Sequence, residues 1–303
     1  MTRETRGEVT GERYGSWLTN ATRALLREGV PDARVEAEAL LLDCAQLRPA
    51  ALLLRRDELL PEPLAAVLQS ALQRRLKREP LSQIVGYRDF WSAQFRVSNE
   101  VLTPRQETEL LVEEALRAFR EYRAHTPEDA CPLIVDIGTG SGCIALSLAL
   151  ELQQETVEII GVDRSSAALR VAIENRAILE LSVALLEGDL LAPIEKRRQR
   201  PAIIVSNPPY ITSEELETLE PEVRLHEPLL ALDGGADGLR VIERLAQDAK
   251  RQLLPGGWLL FEMGWQQREA STQLLKELGF EAVHCVVDFS GHPRVMRGRQ
   301  PSG

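Results

Sequence analysis

From Cys131 onward the chain alternates short apolar runs with longer amphipathic stretches, and that alternation constrains the fold more than any other feature. The runs "PLIVDIG", "VEIIGVD", "ALLEGD", "PAIIVSN", "GWLLFEMG" and "EAVHCVVD" read as strands. Ser165 to Leu181, Asp237 to Leu254 and Gln266 to Leu278 read as helices between them. Strand and helix in regular succession are the signature of a mostly parallel sheet wound on both faces, an α/β fold. In such sheets ligands bind at the carboxyl ends of the strands, so the residues just after each run are the first places to look for a site.

The first 80 residues have a different texture. Trp17, Ala21, Leu25 and Leu26 recur at helical spacing, and Gly29 and Pro31 close that segment. Val35, Ala39, Leu42 and Ala45 repeat the pattern, and a third long helix is expected to start near Pro63. Short loops between amphipathic helices predict a small bundle. The Arg-rich stretch from Arg74 to Arg78 reads as a solvated helix end favoured by the helix dipole, with a docking patch for an acidic partner as the alternative. "SQIVGYRDFWSAQFRVSNEVL" then alternates apolar and polar residues and predicts two short strands with a turn. The expected organisation is a helical domain over 1–80, a β-hairpin linker over 81–102 and the α/β domain over 103–303, with a helix opening after Pro104.

Two strand ends carry chemistry together. "VDIGTGSGCIALSLAL" puts Gly138, Gly140 and Gly142, with Thr139 and Ser141 between them, at a strand-to-helix turn. Glycines there let the backbone turn sharply and approach a ligand, and the amides of the following helix face that ligand with positive partial charge. Asp163 ends the next strand, where a carboxylate can accept two ribose hydroxyls. The dinucleotide fingerprint requires glycine at its sixth position, which is Cys143 here. An adenosyl ligand with a shorter, carboxylate-bearing tail fits better, namely S-adenosyl-L-methionine. Asp189 and Leu190 follow the third strand, where Asp189 can accept from an adenine amine and Leu190 can cover the ring. An N-cap for the next helix is an equal alternative for Asp189.

The fourth strand ends in Asn207-Pro208-Pro209-Tyr210. Pro208 is held extended by the proline after it, and neither proline can donate a backbone hydrogen bond. The segment therefore presents acceptors stiffly: the Asn207 side-chain oxygen and the Pro208 carbonyl. Two acceptors at fixed spacing suit a planar NH2 group, and Tyr210 offers a flat face to pack against an amide or a base. An amide nitrogen is a poor nucleophile because its lone pair is delocalised into the carbonyl. Accepting both of its hydrogens returns density to nitrogen, and alignment with a methyl donor can contribute roughly 7–11 kcal/mol in well-oriented cases.

Composition removes several other classes. No apolar run approaches a membrane span, and the start "MTRETRGEVTGER" is polar with no hydrophobic region, so neither a membrane anchor nor a signal peptide is expected and the expected location is cytoplasmic. Cys44, Cys131, Cys143 and Cys285 show no CxxC spacing and read as buried free thiols, and the four histidines form no metal-binding pattern. The net charge of −10 argues against non-specific affinity for duplex nucleic acid, with residues 1–80 near neutral and the acidic excess in the remainder.

With the loop "DIGTGSG", the Asn-Pro-Pro-Tyr tetrad resembles S-adenosylmethionine-dependent amino-methyltransferases, both the adenine-N6 DNA enzymes and the protein glutamine-N5 enzymes. "EPLSQIVGYRDFWSAQFRV", "VLTPRQETELLVE", "HEPLLALDGGADGL", "LLFEMGWQQ" and "DFSGHPRV" look like the peptide chain release factor N5-glutamine methyltransferases, the PrmC/HemK family, from about Tyr14 to Arg297. That resemblance implies a class I S-adenosylmethionine methyltransferase fold, doubly wound, with a small N-terminal helical bundle and a β-hairpin linker. It also implies transfer of a methyl group to the glutamine of a Gly-Gly-Gln loop in release factors, with no direct nucleic-acid partner. Gly138 to Gly142 and Asp163 would bind the cofactor, and Asn207, Pro208, Pro209 and Tyr210 would hold the glutamine, with Asn207 also near the cofactor. Leu190 stands where some members carry Trp, and Thr103 and Gln106 depart from the usual Ile-Pro-Arg-Pro-Asp-Thr-Glu, while Pro104, Arg105, Thr108 and Glu109 stay. Arg105 either borders the site or forms a structural ion pair. The segment Asp233 to Leu239 is either part of a lid or a Gly-rich turn. The rival readings are a ribosomal-protein glutamine methyltransferase, a DNA adenine methyltransferase and a catalytically silent binding module.

Overall fold

The computed structural model describes residues 11–302, and most of the polar start lies outside them. The chain divides after Gly86 into two compact units.

The first unit is helical: α1 (Tyr14–Arg27), α2 (Ala33–Ala45), α3 (Pro49–Arg55), α4 (Glu62–Leu76) and α5 (Leu81–Val85). Trp17, Ala21 and Leu25 of α1 are buried as the spacing predicts, but Leu26 is exposed. Helix α2 is rotated from expectation: it buries Ala33, Ala37, Leu40 and Leu41 and leaves Val35 out. Its sequence carries Ala or Leu on nearly every face, so periodicity alone could not choose the buried one. The Arg-rich end of α4 also differs from a simple solvated terminus. Arg75 is 2 % exposed and pairs with Glu36 of α2, and Arg74 pairs with Glu79. A guanidinium with a long apolar stem can be buried when a carboxylate meets it, a condition sequence spacing does not reveal.

The second unit opens with the hairpin β1 (Tyr87–Phe90) and β2 (Ala93–Arg96), then a 3-10 turn at Gln106–Thr108 and α6 (Glu109–Arg123). The alternation follows: β3 (Leu133–Ile137), α7 (Cys143–Glu151), β4 (Glu158–Asp163), α8 (Ser166–Ile178), β5 (Ala184–Glu187), α9 (Ala192–Glu195) and β6 (Ile203–Ser206). The chain continues through β7 (Ile211–Thr212), α10 (Pro221–His226), β8 (Asp233–Gly235), α11 (Arg240–Gln252), β9 (Trp258–Glu262), α12 (Arg268–Glu277), β10 (Glu281–Val287) and β11 (Pro293–Arg299). Seven strands form one sheet in the order β10-β11-β9-β6-β3-β4-β5. Pairings from β9 to β5 are parallel, and β11 runs antiparallel to both of its neighbours. Strands β3, β6 and β9 are buried along their whole length, because helices cover both faces.

The alternation in the sequence missed β11. "PRVMRGR" begins with proline and carries three arginines, yet the strand lies inside the sheet between β9 and β10. Arg297 is tolerated there because Glu114 and Glu121 of α6 meet its guanidinium at 2.9 and 2.7 Å, and it stacks 4.0 Å over Trp258. All four cysteines are free, but only Cys143 is buried: Cys44 and Cys285 are half-buried, and Cys131, in the loop before β3, is exposed.

Chain order places the switch point between β3 and β6. From β3 the chain crosses to β4 on one side, and β6 then joins the other side. Ile137 and Ser206 are register partners at the ends of these strands, and Ser206 Oγ donates to the Ile137 carbonyl at 2.7 Å. Gly138 and Asn207 thus leave the sheet side by side.

Candidate active site

A cavity of about 430 Å3 opens at that switch point. Gly138, Thr139, Gly140, Ser141, Asp163, Asp189, Leu190, Asn207, Pro208 and Pro209 all line it. Residues spread over more than 70 positions of sequence converge because β3, β4, β5 and β6 all point their carboxyl ends the same way. Gly142 and Tyr210, also expected at the site, are not among the residues that line it.

The glycine loop explains its own composition. Gly138 and Gly140 adopt φ of 71° and 56°, in the left-handed region. A Cβ at Gly138 would meet nothing within 4 Å, and one at Gly140 only the Gly138 carbonyl at 3.9 Å. Their backbone therefore lies open to the cavity rather than against protein. Gly142 serves packing instead: a Cβ there would press on Leu146 at 3.0 Å and Ala172 at 3.3 Å. Beneath the loop Thr139 Oγ1 donates to Asp136 Oδ2 at 2.6 Å, and the Ala145 amide donates to the same oxygen. Burial pushes the Asp136 carboxyl up to about 7 despite these two bonds. Cys143 at the sixth loop position is buried, and burial holds its thiol neutral, pushed up to about 12.

Asp163 sits across the loop. Its Oδ2 accepts the Gly140 amide and its Oδ1 the Ser165 amide, each at 2.8 Å. Burial raises its pKa, and these backbone donors oppose that. Each carboxylate oxygen keeps a further lone-pair direction for a ligand donor. An open glycine backbone beside a buried-edge carboxylate fits an adenosyl ligand with an amino-acid tail.

Asp189 is already engaged: Arg244 of α11 donates to its Oδ2 at 2.6 Å, with both side chains about half exposed. Leu190 has φ of 50° and is buried, so its backbone is held in a conformation L-residues rarely adopt, at the cavity wall.

Asn207 uses its amide nitrogen against the protein. Nδ2 donates to Thr108 Oγ1 at 3.1 Å, and Oδ1 accepts nothing among the described residues. Thr108 in turn donates to Glu262 Oε2 at 2.7 Å, and the Tyr210 hydroxyl donates to Glu262 Oε1 at 3.1 Å. Tyr210 therefore directs its hydroxyl to a buried carboxylate. Burial raises the Tyr210 and Glu262 pKa values. The Tyr210 carbonyl accepts Gln267 Nε2 at 2.9 Å. Thr108 and Glu262 carried no site signal of their own in the sequence; the only clue was that each stands in a segment quoted for the family resemblance.

Both alternatives for Arg105 hold at once. It lines the cavity and it forms an ion pair with Glu227 at 2.6 Å. Asp233–Gly235 pairs as a short strand with Ile211–Thr212, and Asp233 also lines the cavity. That pairing ties the Gly-rich segment to the residues that follow the tetrad.

The strand order, the reversed final hairpin and the glycine loop facing an acidic strand end define a class I S-adenosylmethionine-dependent methyltransferase fold. Among solved structures, the hMettl16 catalytic domain in complex with MAT2A 3'UTR hairpin 6 is similar, with a TM-score of 0.51 at 15% identity, over 80% of this chain and 82% of that one. At that identity the likeness concerns the fold alone. The family model described as PrmC N-terminal domain matches residues 16–86, and the one described as Methyltransferase small domain matches 124–221. The release factor glutamine methyltransferase of Caulobacter vibrioides is 44% identical over 77% of this chain and 78% of its own length. That of Geobacter sulfurreducens is 42% identical over 92% of this chain and 94% of its own. The chain belongs to the release factor glutamine methyltransferase family.

Proposed function

We propose that this protein transfers a methyl group from S-adenosyl-L-methionine to the side-chain amide nitrogen, N5, of the glutamine in the Gly-Gly-Gln motif of peptide chain release factors. The observation that carries the reading is the acceptor pair of Asn207 and Pro208 leaving the sheet beside the glycine loop, in the same cavity. Family membership supplies the substrate class.

When bound, the cofactor supplies a methyl group activated by a positively charged sulfur. Gly138 to Gly142 would hold its amino-acid tail, Asp163 its ribose hydroxyls, and Asp189 and Leu190 its adenine. Asn207 Oδ1 and the Pro208 carbonyl accept the two hydrogens of the substrate amide. That pairing fixes the amide plane and shifts electron density toward its nitrogen. Pro208 and Pro209 bring no backbone donor that would compete for those acceptors. Tyr210, tied to Glu262 and Gln267, stiffens the turn that carries the pair. Holding the two reactants in line turns a bimolecular step into an effectively unimolecular one, which can contribute roughly 7–11 kcal/mol.

No helix among the described residues is long and apolar enough to cross a membrane. A cytoplasmic location follows from the proposed substrate, and the helical N-terminal domain, α1 to α5, would help dock the release factor. Nucleic acid is not part of the proposed substrate.

The test is an incubation with labelled S-adenosyl-L-methionine and, separately, release factor, its Gln→Ala loop variant, ribosomal proteins and DNA. Label is expected on the release factor and absent from the Gln→Ala variant. Label that persists in that variant, or that goes to DNA or a ribosomal protein instead, overturns the reading. Asn207→Ala is expected to abolish transfer while the protein stays folded.

A further inference from the structure

The acceptor role of Asn207 requires its side-chain amide to be the right way round. A carboxamide turned over presents NH2 where an oxygen is needed, and donor then faces donor. The peptide geometry of the tetrad does not select between the two orientations, since both fill the same space. Something outside the tetrad has to.

A hydrogen-bonded chain from the end of the neighbouring strand does so. Thr108 lies in the 3-10 turn before α6 and Glu262 at the end of β9, and they are 2 and 1 % exposed. Thr108 Oγ1 is 2.7 Å from Glu262 Oε2 and 3.1 Å from Asn207 Nδ2. A hydroxyl has one proton, and Glu262 accepts at both of its oxygens, Oε2 from Thr108 and Oε1 from Tyr210. The Thr108 proton is thus committed to Glu262, and Thr108 has only lone pairs left for Asn207. Only the NH2 end of Asn207 satisfies a lone pair, so Oδ1 is turned the other way. The second oxygen of Glu262 takes the Tyr210 hydroxyl at 3.1 Å, which anchors the other end of the tetrad to the same carboxylate.

We propose that Glu262 is a positioning residue for methyl transfer: through Thr108 it fixes the Asn207 amide with Oδ1 toward the cavity. The inference rests on the reading that Asn207 Oδ1 accepts from a planar NH2 group. The carboxylate touches no substrate atom and acts by setting the polarity of the chain. Without it, the Thr108 proton is free to go to Asn207 Oδ1, and the opposite orientation becomes equally good.

Two variant pairs and one spectrum test this. Glu262→Met fills the space with an apolar chain and removes both acceptor oxygens, whereas Glu262→Gln keeps one carbonyl for the Thr108 proton. Thr108→Val removes the hydroxyl at constant shape, and Thr108→Ser restores it. Methionine and valine are expected to lower kcat on release factor by roughly 10- to 100-fold, the scale of one misplaced buried hydrogen bond, with KM and affinity for S-adenosylhomocysteine within about twofold. Glutamine and serine are expected to recover most of that loss. If Glu262→Met does not fold, the threonine pair carries the test.

The spectrum is independent of activity. The Asn207 side-chain NH2 signals, identified by their loss in Asn207→Asp, are expected to shift and to exchange faster with water in Thr108→Val. Unchanged signals, or Glu262→Met and Thr108→Val turning over like the wild type, overturn the positioning role. If the wild-type protein does not label release factor at all, the proposed function falls, and the spectrum alone still decides whether the chain orients Asn207.

Discussion

Arg105 Nη2 lies 2.6 Å from Glu227 Oε2, joining two residues 122 positions apart at the edge of the cavity. The partners are unequal: the Glu227 side chain is 1 % exposed and that of Arg105 39 %. Burial raises the Glu227 pKa, and Arg105 is the first of the groups that oppose this. Removing the arginine leaves a buried carboxylate held by Thr103 without a countercharge, whereas neutralising the carboxylate leaves a guanidinium that water can reach. Arg105→Ala is therefore expected to cost about 1–3 kcal/mol, less than a fully buried pair because water already screens Arg105, and Glu227→Gln less than that. Urea unfolding of both variants checks the order. A larger loss in Glu227→Gln would reverse the assignment of which partner depends on the other.

Asp163 holds two backbone amides, those of Gly140 and Ser165, each at 2.8 Å. Asp163→Ala takes away the carboxylate proposed to bind the ribose and also loosens the loop. Hydrogen bonds to charged groups contribute about 1.5–3 kcal/mol, so affinity for S-adenosylhomocysteine should fall about 10- to 150-fold. Calorimetric titration measures this directly. An unchanged affinity would remove Asp163 from the cofactor site.

Gly238 has φ of 73°, and a Cβ there would collide with the Tyr210 carbonyl oxygen and with Gln267 Nε2. The carbonyl belongs to the backbone of the tetrad and cannot swing aside. Gly238→Ala should therefore displace the Asn207–Tyr210 turn and lower kcat, at a stability cost of about 1–3 kcal/mol from the strained backbone. Affinity for S-adenosylhomocysteine should persist, because the glycine loop and Asp163 lie on other strands. Turnover at the wild-type rate would show that the turn tolerates the shift.

Asp136 makes stability depend on pH. Its folded-state pKa of about 7 lies above the ordinary 3.8, with burial as the main cause. Folding thus favours its protonated form. This contribution is complete below the ordinary value and is lost as pH rises through the folded one. Between pH 5 and 8 the loss should be about 2–3 kcal/mol. Asp136→Asn cannot ionise, so it should lack this component and gain on the wild type as pH rises. Urea midpoints of both proteins at pH 5 and pH 8 test it, and equal pH dependence in the two would exclude Asp136 as the source.

Local chemistry was readable in advance. A turn of alternating glycines needs no long-range information, because positive φ and an open backbone are properties of those residues. The stiffness of Asn207-Pro208-Pro209 is likewise a property of proline. What the linear order concealed were partners. Glu262 lies 154 positions from Thr108 and Arg244 55 from Asp189. Strand β11 escaped for the same reason, since Arg297 is acceptable inside a sheet only once Glu114, Glu121 and Trp258 are around it.

The strands β3, β4, β5, β6, β9 and β10, the glycine loop, the acidic strand end and the stiff Asn-Pro-Pro turn follow from residue type and short spacing, because backbone conformation is governed by nearest neighbours. The outcomes that depend on convergence followed from folding alone. These are the burial of Arg75 against Glu36, the face α2 turns inward, the engagement of Asp189 by Arg244, and the orientation of the Asn207 amide. Each is settled by which groups meet in space, and a buried polar atom takes its direction from the partner that the fold brings to it.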